Sequence, residues 1–252
     1  MESTVKDNST VKFFLPVPDR QVVDMLKRNG FEWCNKQEAA DFVVFTGGSD
    51  VHPALYGETL HSTTYFDGVR DNLDIAAWNR CRNDQVKVGI CRGGQFLNVM
   101  NDGALWQNVS GHAIRGTHIM RSVATNRTLY VTSTHHQMII PSSKADVLYV
   151  ANLARSKESA TKTKTYSSEE RIAVWDDVEV CVYEKTHSLC YQPHPEYEEL
   201  GNKDNERLFI DLILEMLVHG KVPTTGRSIL GAQCTQTSEE AASTVRHGMA
   251  RH

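Results

Sequence analysis

The sequence predicts an α/β fold, a mostly parallel central sheet flanked by helices with antiparallel strands added late, and three observations carry that prediction. Short apolar β-type runs alternate with helical ones through the first half of the chain. Two of those runs lead straight into glycine-rich turns, Gly47-Gly48 and Gly89 to Gly93, where the backbone can turn sharply and approach a ligand without side chains in the way. A β-rich stretch then runs from residue 129 to residue 183 before a last strand and helix. At 252 residues the chain can form one large domain with its own core.

Residues 11–17 are apolar and bounded by polar residues, which predicts a first strand. Asp19 is a helix-starting residue, the apolar spacing after it fits a helix over 19–29, and Gly30 closes it. Residues 41–45, Asp-Phe-Val-Val-Phe, predict a second strand, 72–83 a helix, 86–88 a third strand and 95–100 another helix. Beyond them, residues 129–133, 147–153, 172–175 and 178–183 read as strands, with Asp176-Asp177 as a hairpin turn between the last two. Residues 156–170, rich in Lys, Thr, Ser and Glu, read as an exposed loop, and the apolar run at 188–191 as a further strand. Leu208, Phe209, Leu212, Ile213, Met216 and Leu217 recur with a period near 3.6, predicting a helix over 204–219 that Gly220 stops. From residue 221 the chain turns polar and small. The organisation expected is therefore a folded domain over 1–220 and a polar, loosely ordered tail over 221–252.

The chemistry gathers at the turns. Gly89-Ile90-Cys91-Arg92-Gly93 places a thiol on a strand-to-helix corner, where the helix start offers unpaired N–H groups and a positive dipole end to the sulfur. Such surroundings favour the thiolate, the reactive form. Far downstream, His194-Pro195-Glu196 follows an apolar run and supplies a base with a carboxylate two positions on. Residues two apart at a strand's end project to the same side, so Glu196 can orient His194 and His194 can deprotonate Cys91. A lone cysteine is more often a small buried hydrophobe; the joint occurrence of both motifs, each after a strand, is what points to catalysis.

With these motifs, the stretch Gly47-Gly48-Ser49-Asp50-Val51-His52-Pro53-Ala54-Leu55-Tyr56-Gly57-Glu58, the pair Arg70-Asp71 and the triplet His135-His136-Gln137, the chain resembles the class I glutamine amidotransferase-like hydrolases. Within them it is most similar to the γ-glutamyl-γ-aminobutyrate hydrolase branch, peptidase family C26. The resemblance implies a flavodoxin-like layered fold and a thiol hydrolase with Cys91 as nucleophile, His194 as general base and Glu196 as its orienting group. It also implies backbone N–H groups of Gly48 and Arg92 as the oxyanion hole, and Gly47, Gln95, His135, His136 and Gln137 along the substrate cleft. Three positions depart from the branch pattern: Gly94 stands where His is usual, Pro193 precedes the catalytic His, and Asp74 replaces Glu.

The implied reaction is hydrolysis of a γ-glutamyl amide through a thioester. The leading alternative is a glutaminase that passes ammonia to a separate synthetase, and the competing class is a catalytically idle binding module, against which stand three filled triad positions. Neither a metal nor an organic cofactor is required by this chemistry. His112, His118, His135 and His136 are expected to be surface or supporting residues, because neighbours in an extended segment face opposite sides and no ligand pair has helical spacing. The resemblance is compatible with a homodimer.

Net charge −4 and a pI near 6.3 leave no basic footprint for nucleic acid. A mean hydropathy of −0.41 and the lack of an apolar run of about 18 residues speak against a membrane span. The first ten residues lack the apolar core of a signal peptide, so a cytoplasmic protein with free thiols is expected from its six scattered cysteines.

Overall fold

The structure is a computed structural model that describes residues 10–197 and 203–220. Its elements in chain order begin with β1 (Lys12–Phe14), α1 (Arg20–Arg28), β2 (Glu32–Trp33), β3 (Phe42–Phe45), α2 (Gly68–Arg80), β4 (Val86–Ile90) and α3 (Arg92–Met100). There follow β5 (Ala104–Trp106), β6 (Asn108–Val109), β7 (Ala113–Ser122), β8 (Thr128–Thr134), β9 (Met138–Ile140) and β10 (Asp146–Ala151). The chain continues with β11 (Ser156–Glu158), β12 (Thr163–Thr165), α4 (Ser168–Ala173), β13 (Asp177–Tyr183), β14 (Ser188–Tyr191) and α5 (Lys203–His219).

Nine strands form one sheet in the order β2-β1-β3-β4-β14-β13-β10-β7-β8. From β2 to β14 every pairing is parallel, and from β14 to β8 every pairing is antiparallel, so the expected late antiparallel strands extend a parallel α/β sheet. Strand alternation splits the core in two. Phe42, Val44, Val88, Ile90, Leu189 and Tyr191 pack with α1 and α5 on one face, while Val43, Phe45 and Cys190 pack with Ala77 of α2 and Phe96 and Leu97 of α3 on the other. All five residues of β4 are buried, as a central strand covered on both faces requires. Its one charged residue, Lys87, donates to the carbonyls of Gln85 (2.8 Å) and Thr186 (2.9 Å).

Several boundaries move for local reasons. The first strand is shorter than expected because Pro16 and Pro18 lack N–H groups for a ladder. Helix α2 begins at Gly68 because the Asp67 carboxylate accepts from Val69 N (2.9 Å) and Arg70 N (3.3 Å). Residues 172–175 are not a strand: Ser167 and Glu170 form a reciprocal capping box that starts α4, and the helix runs on to Ala173 with Val174 as its C-cap. Nor is Asp176-Asp177 a hairpin turn. Asp177 opens β13, and both carboxylates bind the buried ammonium of Lys157 at 2.8 and 2.7 Å. Part of the loop expected at 156–170 is the hairpin β11–β12, which adds to β6. The tail expected from residue 221 lies outside the described residues.

Candidate active site

Three neighbouring parallel strands bring the site together. Register pairs Phe45 of β3 with Gly89 of β4, and Ile90 of β4 with Tyr191 of β14. Their carboxyl ends are therefore level, with adjacent strands about 4.8 Å apart. The Gly47-Gly48 turn, Cys91 and the 192–196 segment all leave the same edge, the usual place for ligands in an open α/β sheet.

Cys91 takes φ 50° and ψ −110°, a conformation that costs a residue with a side chain about 1–3 kcal/mol. Its N–H donates to Tyr191 O (2.8 Å) and its carbonyl accepts from Gln95 N (3.0 Å), fixing it between β14 and the first turn of α3. The flanking glycines permit this corner. A Cβ on Gly93 would lie 1.9 Å from Phe45 O, and one on Gly89 would lie 2.4 Å from the Gly93 backbone. Gly94, the departure from the branch pattern, lies against the backbone of β14: its Cβ would stand 2.9 Å from Tyr191 N.

The His194 Nδ1–H donates to Glu196 Oε1 at 2.6 Å, which leaves Nε2 as the ring nitrogen free to serve the sulfur. The Cys91 sulfur acts on this imidazole as a neighbouring charge. Burial opposes a charged ring, but the Cys91 sulfur and the Glu196 carboxylate outweigh it and push the His194 pKa up to about 10. One face of the ring stacks on Tyr197 at 4.3 Å with planes 5° apart, and a Cβ on Gly47 would approach its Cε1 edge to 2.8 Å. His194 N donates to Thr132 Oγ1 (2.6 Å), and Asn205 Nδ2 donates to His194 O (3.1 Å).

A four-residue ionic clamp holds the glycine turn. Arg70 Nη1 donates to Gly47 O (2.9 Å), and its Nη2 donates to Thr46 O (2.8 Å) and Thr46 Oγ1 (3.1 Å). Arg70 Nε donates to Asp74 (3.0 Å), and Arg92, fully buried, pairs with both Asp71 and Asp74 while its Nε donates to Ser49 O (3.0 Å). Asp71 also accepts from His52 N (3.2 Å). Burial lowers the Arg92 pKa, and Asp74 opposes the shift. The peptide between Gly47 and Gly48 is trans, so its N–H points opposite to the carbonyl that Arg70 holds. Gly48 itself has φ +148°, where a Cβ would meet Arg70 Nη1 at 2.9 Å.

The remaining residues expected along the cleft separate into two groups. Gln95 Nε2 donates to Gln137 O (3.1 Å) and to Gln192 Oε1 (3.1 Å), and Gln192 Nε2 lies 3.6 Å from Cys91 Sγ. Gln137 Nε2 donates to Thr64 Oγ1 (3.2 Å). His136 is half-buried, with Nε2 3.0 Å from Asp50. His135 turns the other way, as alternation requires, and its ring lies among His112, His118 and Glu179. Of the surface or supporting positions expected for the histidines, the surface one does not apply to His112, His118 and His135: all three are buried around Glu179 of β13. Burial and the neighbouring His112 push the His135 pKa down to about 3.

Sequence reasoning missed Gln192, Thr132 and Tyr197. Gln192 lies two residues before His194, the same spacing that links His194 to Glu196, and that spacing is the signal that could have found it. Thr132 comes from a distant strand and carries no local signal.

Residues 33–196 match the Peptidase C26 family. A putative glutamine amidotransferase-like protein of Lactococcus lactis subsp. lactis is 30% identical over 62% of this chain and 66% of its own length. A homolog from Lactococcus lactis subsp. cremoris is 43% identical over 28% of this chain, and a putative glutamine amidotransferase of Schizosaccharomyces pombe is 36% identical over 31%. The matches span 38% and 32% of those two relatives' lengths. Among solved structures, a putative GMP synthase component from Thermoplasma acidophilum superposes with TM-score 0.54 at 14% identity, covering 81% of this chain and 94% of that one. PurLQS from Thermotoga maritima superposes with TM-score 0.54 at 18% identity, covering 82% of this chain and 100% of that one.

Proposed function

Because this chain belongs to the Peptidase C26 family and has a class I glutamine amidotransferase-like fold, we propose that it hydrolyses a γ-glutamyl amide through a thioester on Cys91. One observation carries the reading: an imidazole fixed by a carboxylate at 2.6 Å and a thiol on a strained strand-to-helix corner leave the same sheet edge from neighbouring parallel strands. Those are the relations nucleophile, base and orienting group need.

The Cys91 sulfur attacks the γ-carbonyl, forming a C–S bond and placing negative charge on oxygen. The backbone N–H groups of Gly48 and Arg92 receive that charge. Support for them comes from the Arg70 hold on Gly47 O and from the place of Arg92 at the first turn of α3, where N–H groups have no partner within the helix. As the C–N bond breaks, the His194 imidazolium gives its Nε2 proton to the departing amine. Water then attacks the thioester, His194 takes its proton, and the C–S bond breaks to release glutamate and restore the thiol. Glu196 holds the Nδ1–H throughout, keeping Nε2 on the reacting side.

The experiment is glutamate release from a panel of glutamine, γ-glutamyl-γ-aminobutyrate and other γ-glutamyl amines, with the native chain and Cys91→Ala. Cys91-dependent turnover of a conjugate well above that of glutamine supports the free-standing hydrolase. Turnover of glutamine alone transfers the same chemistry to an ammonia donor for a separate synthetase. No Cys91-dependent turnover of any member contradicts the proposal.

A further inference from the structure

Behind the nucleophile, three strands converge on a second set of side chains that the hydrolysis does not use. His112 lies just before β7, His135 just after β8 and Glu179 in β13, and one donor atom from each lies within 4.8 Å of the other two. All three residues are buried, and Glu179 and His112 have no measurable exposure.

Their hydrogen bonds are arranged with acceptors facing inward. A carbonyl oxygen can only accept, so the contact of His135 Nδ1 with Gln137 O (2.9 Å) places the proton on Nδ1 and leaves the Nε2 lone pair of the neutral ring pointing inward. That Nε2 has no hydrogen-bond partner and stands 3.9 Å from Glu179 Oε1, itself an acceptor. His112 is held from outside by Asp177, whose Oδ2 is 3.0 Å from Nε2. Its Nδ1 faces Glu179 Oε1 at 3.4 Å without hydrogen-bond alignment, and Glu179 Oε2 also lacks a partner. Buried polar atoms left in this state are costly and call for an explanation.

We propose that His112 Nδ1, His135 Nε2 and the Glu179 carboxylate form a buried site for a divalent transition-metal ion of the zinc type. Donors about 2.0–2.1 Å from a tetrahedral zinc ion lie about 3.3 Å apart; the two histidine–carboxylate distances are 3.4 and 3.9 Å and the two histidine nitrogens lie within 4.8 Å, so binding draws the donors inward. The outer partners also fit: Asp177 on one imidazole and a backbone carbonyl on the other are the groups that commonly orient metal-bound histidines. His118, with Nε2 2.9 Å from Glu179 Oε1, steadies the carboxylate. Three protein donors leave the fourth tetrahedral position to a water, and burial makes this a bracing site. Its effect reaches the nucleophile through His135, the Gln137 carbonyl, Gln95 and Gln192, each hydrogen-bonded to the next, and Gln192 ends 3.6 Å from Cys91 Sγ.

The test uses the full chain carrying Cys91→Ser, so that the thiol and His194 cannot offer a competing site. Chelator-treated protein is titrated with cobalt(II), followed by its visible spectrum and by elemental analysis, and its thermal unfolding is recorded with and without zinc. The expected result is one cobalt per chain with tetrahedral bands that zinc abolishes, and an unfolding midpoint that rises with zinc concentration. Adding His135→Gln or Glu179→Gln weakens cobalt binding at least about tenfold. A parent chain whose midpoint ignores zinc and whose cobalt spectrum is that of the free ion overturns the proposal, whatever the variants do. So do tetrahedral bands of undiminished affinity in both variants.

Discussion

Replacing Arg70 by Lys isolates the role of the clamp on the glycine turn. The guanidinium binds Thr46 O, Thr46 Oγ1, Gly47 O and Asp74 together, at 2.8 to 3.1 Å. Lysine keeps the positive charge beside the buried Asp74, but a single nitrogen cannot reproduce the fork that spans two carbonyls and a carboxylate. Each buried carbonyl left without its donor costs about 1–3 kcal/mol of stability. The kinetic effect is larger if the Gly47–Gly48 peptide then turns, because losing one oxyanion donor lowers kcat by about 10²–10³, equivalent to about 2.7–4 kcal/mol. The assay pairs kcat for the preferred γ-glutamyl substrate with the rate at which iodoacetamide alkylates Cys91, a displacement that forms no oxyanion. Arg70→Lys should lower kcat, leave KM little changed and leave alkylation at the native rate. Unchanged kcat refutes the clamp argument, and a parallel fall in alkylation refutes its assignment to the oxyanion.

Other consequences follow from the same geometry. The folded-state pKa of His194, raised to about 10, gives stability that is fully present below the ordinary histidine value of about 6.5 and lost as pH rises through about 10. Denaturant midpoints measured from pH 6 to pH 10 should therefore fall for the native chain and fall less for His194→Gln. Gly93→Ala drives a methyl to 1.9 Å from Phe45 O and should cost at least about 1–3 kcal/mol, whereas Gly68→Ala, with nothing within 4 Å, should be neutral or stabilise by up to about 1 kcal/mol in the same unfolding assay. Asp74→Asn leaves Arg92 with one carboxylate fewer in a buried setting and should destabilise by about 3–5 kcal/mol by chemical denaturation.

The elements that position Cys91 and His194 were legible because their signals are local. Gly-x-Cys-x-Gly after an apolar strand encodes a corner that only glycines can flank, and close packing of Gly89 and Gly93 is the physical reason. The parallel half of the sheet followed from alternating periodicities. Residues 172–175 misled because Ile-Ala-Val-Trp is apolar enough for a strand. The decisive signal was the Ser167…Glu170 capping box just before it. Arg70, Asp71, Asp74 and Arg92 were each visible, yet their mutual pairing depends on α2 and α3 meeting beside the β3 turn. The grouping of His112, His135 and Glu179 was illegible for a related reason: its members lie beside two strands and within a third, and no local pattern encodes the order of those strands in the sheet.

The most direct measurement of the central claim is intact-protein and peptide mass spectrometry of the native chain, acid-quenched during turnover of its preferred γ-glutamyl substrate. The account predicts a γ-glutamyl adduct on the peptide bearing Cys91, lost on alkaline hydrolysis and absent from Cys91→Ala, which also releases no glutamate. Turnover that persists in Cys91→Ala, or an adduct carried by another residue, would contradict it.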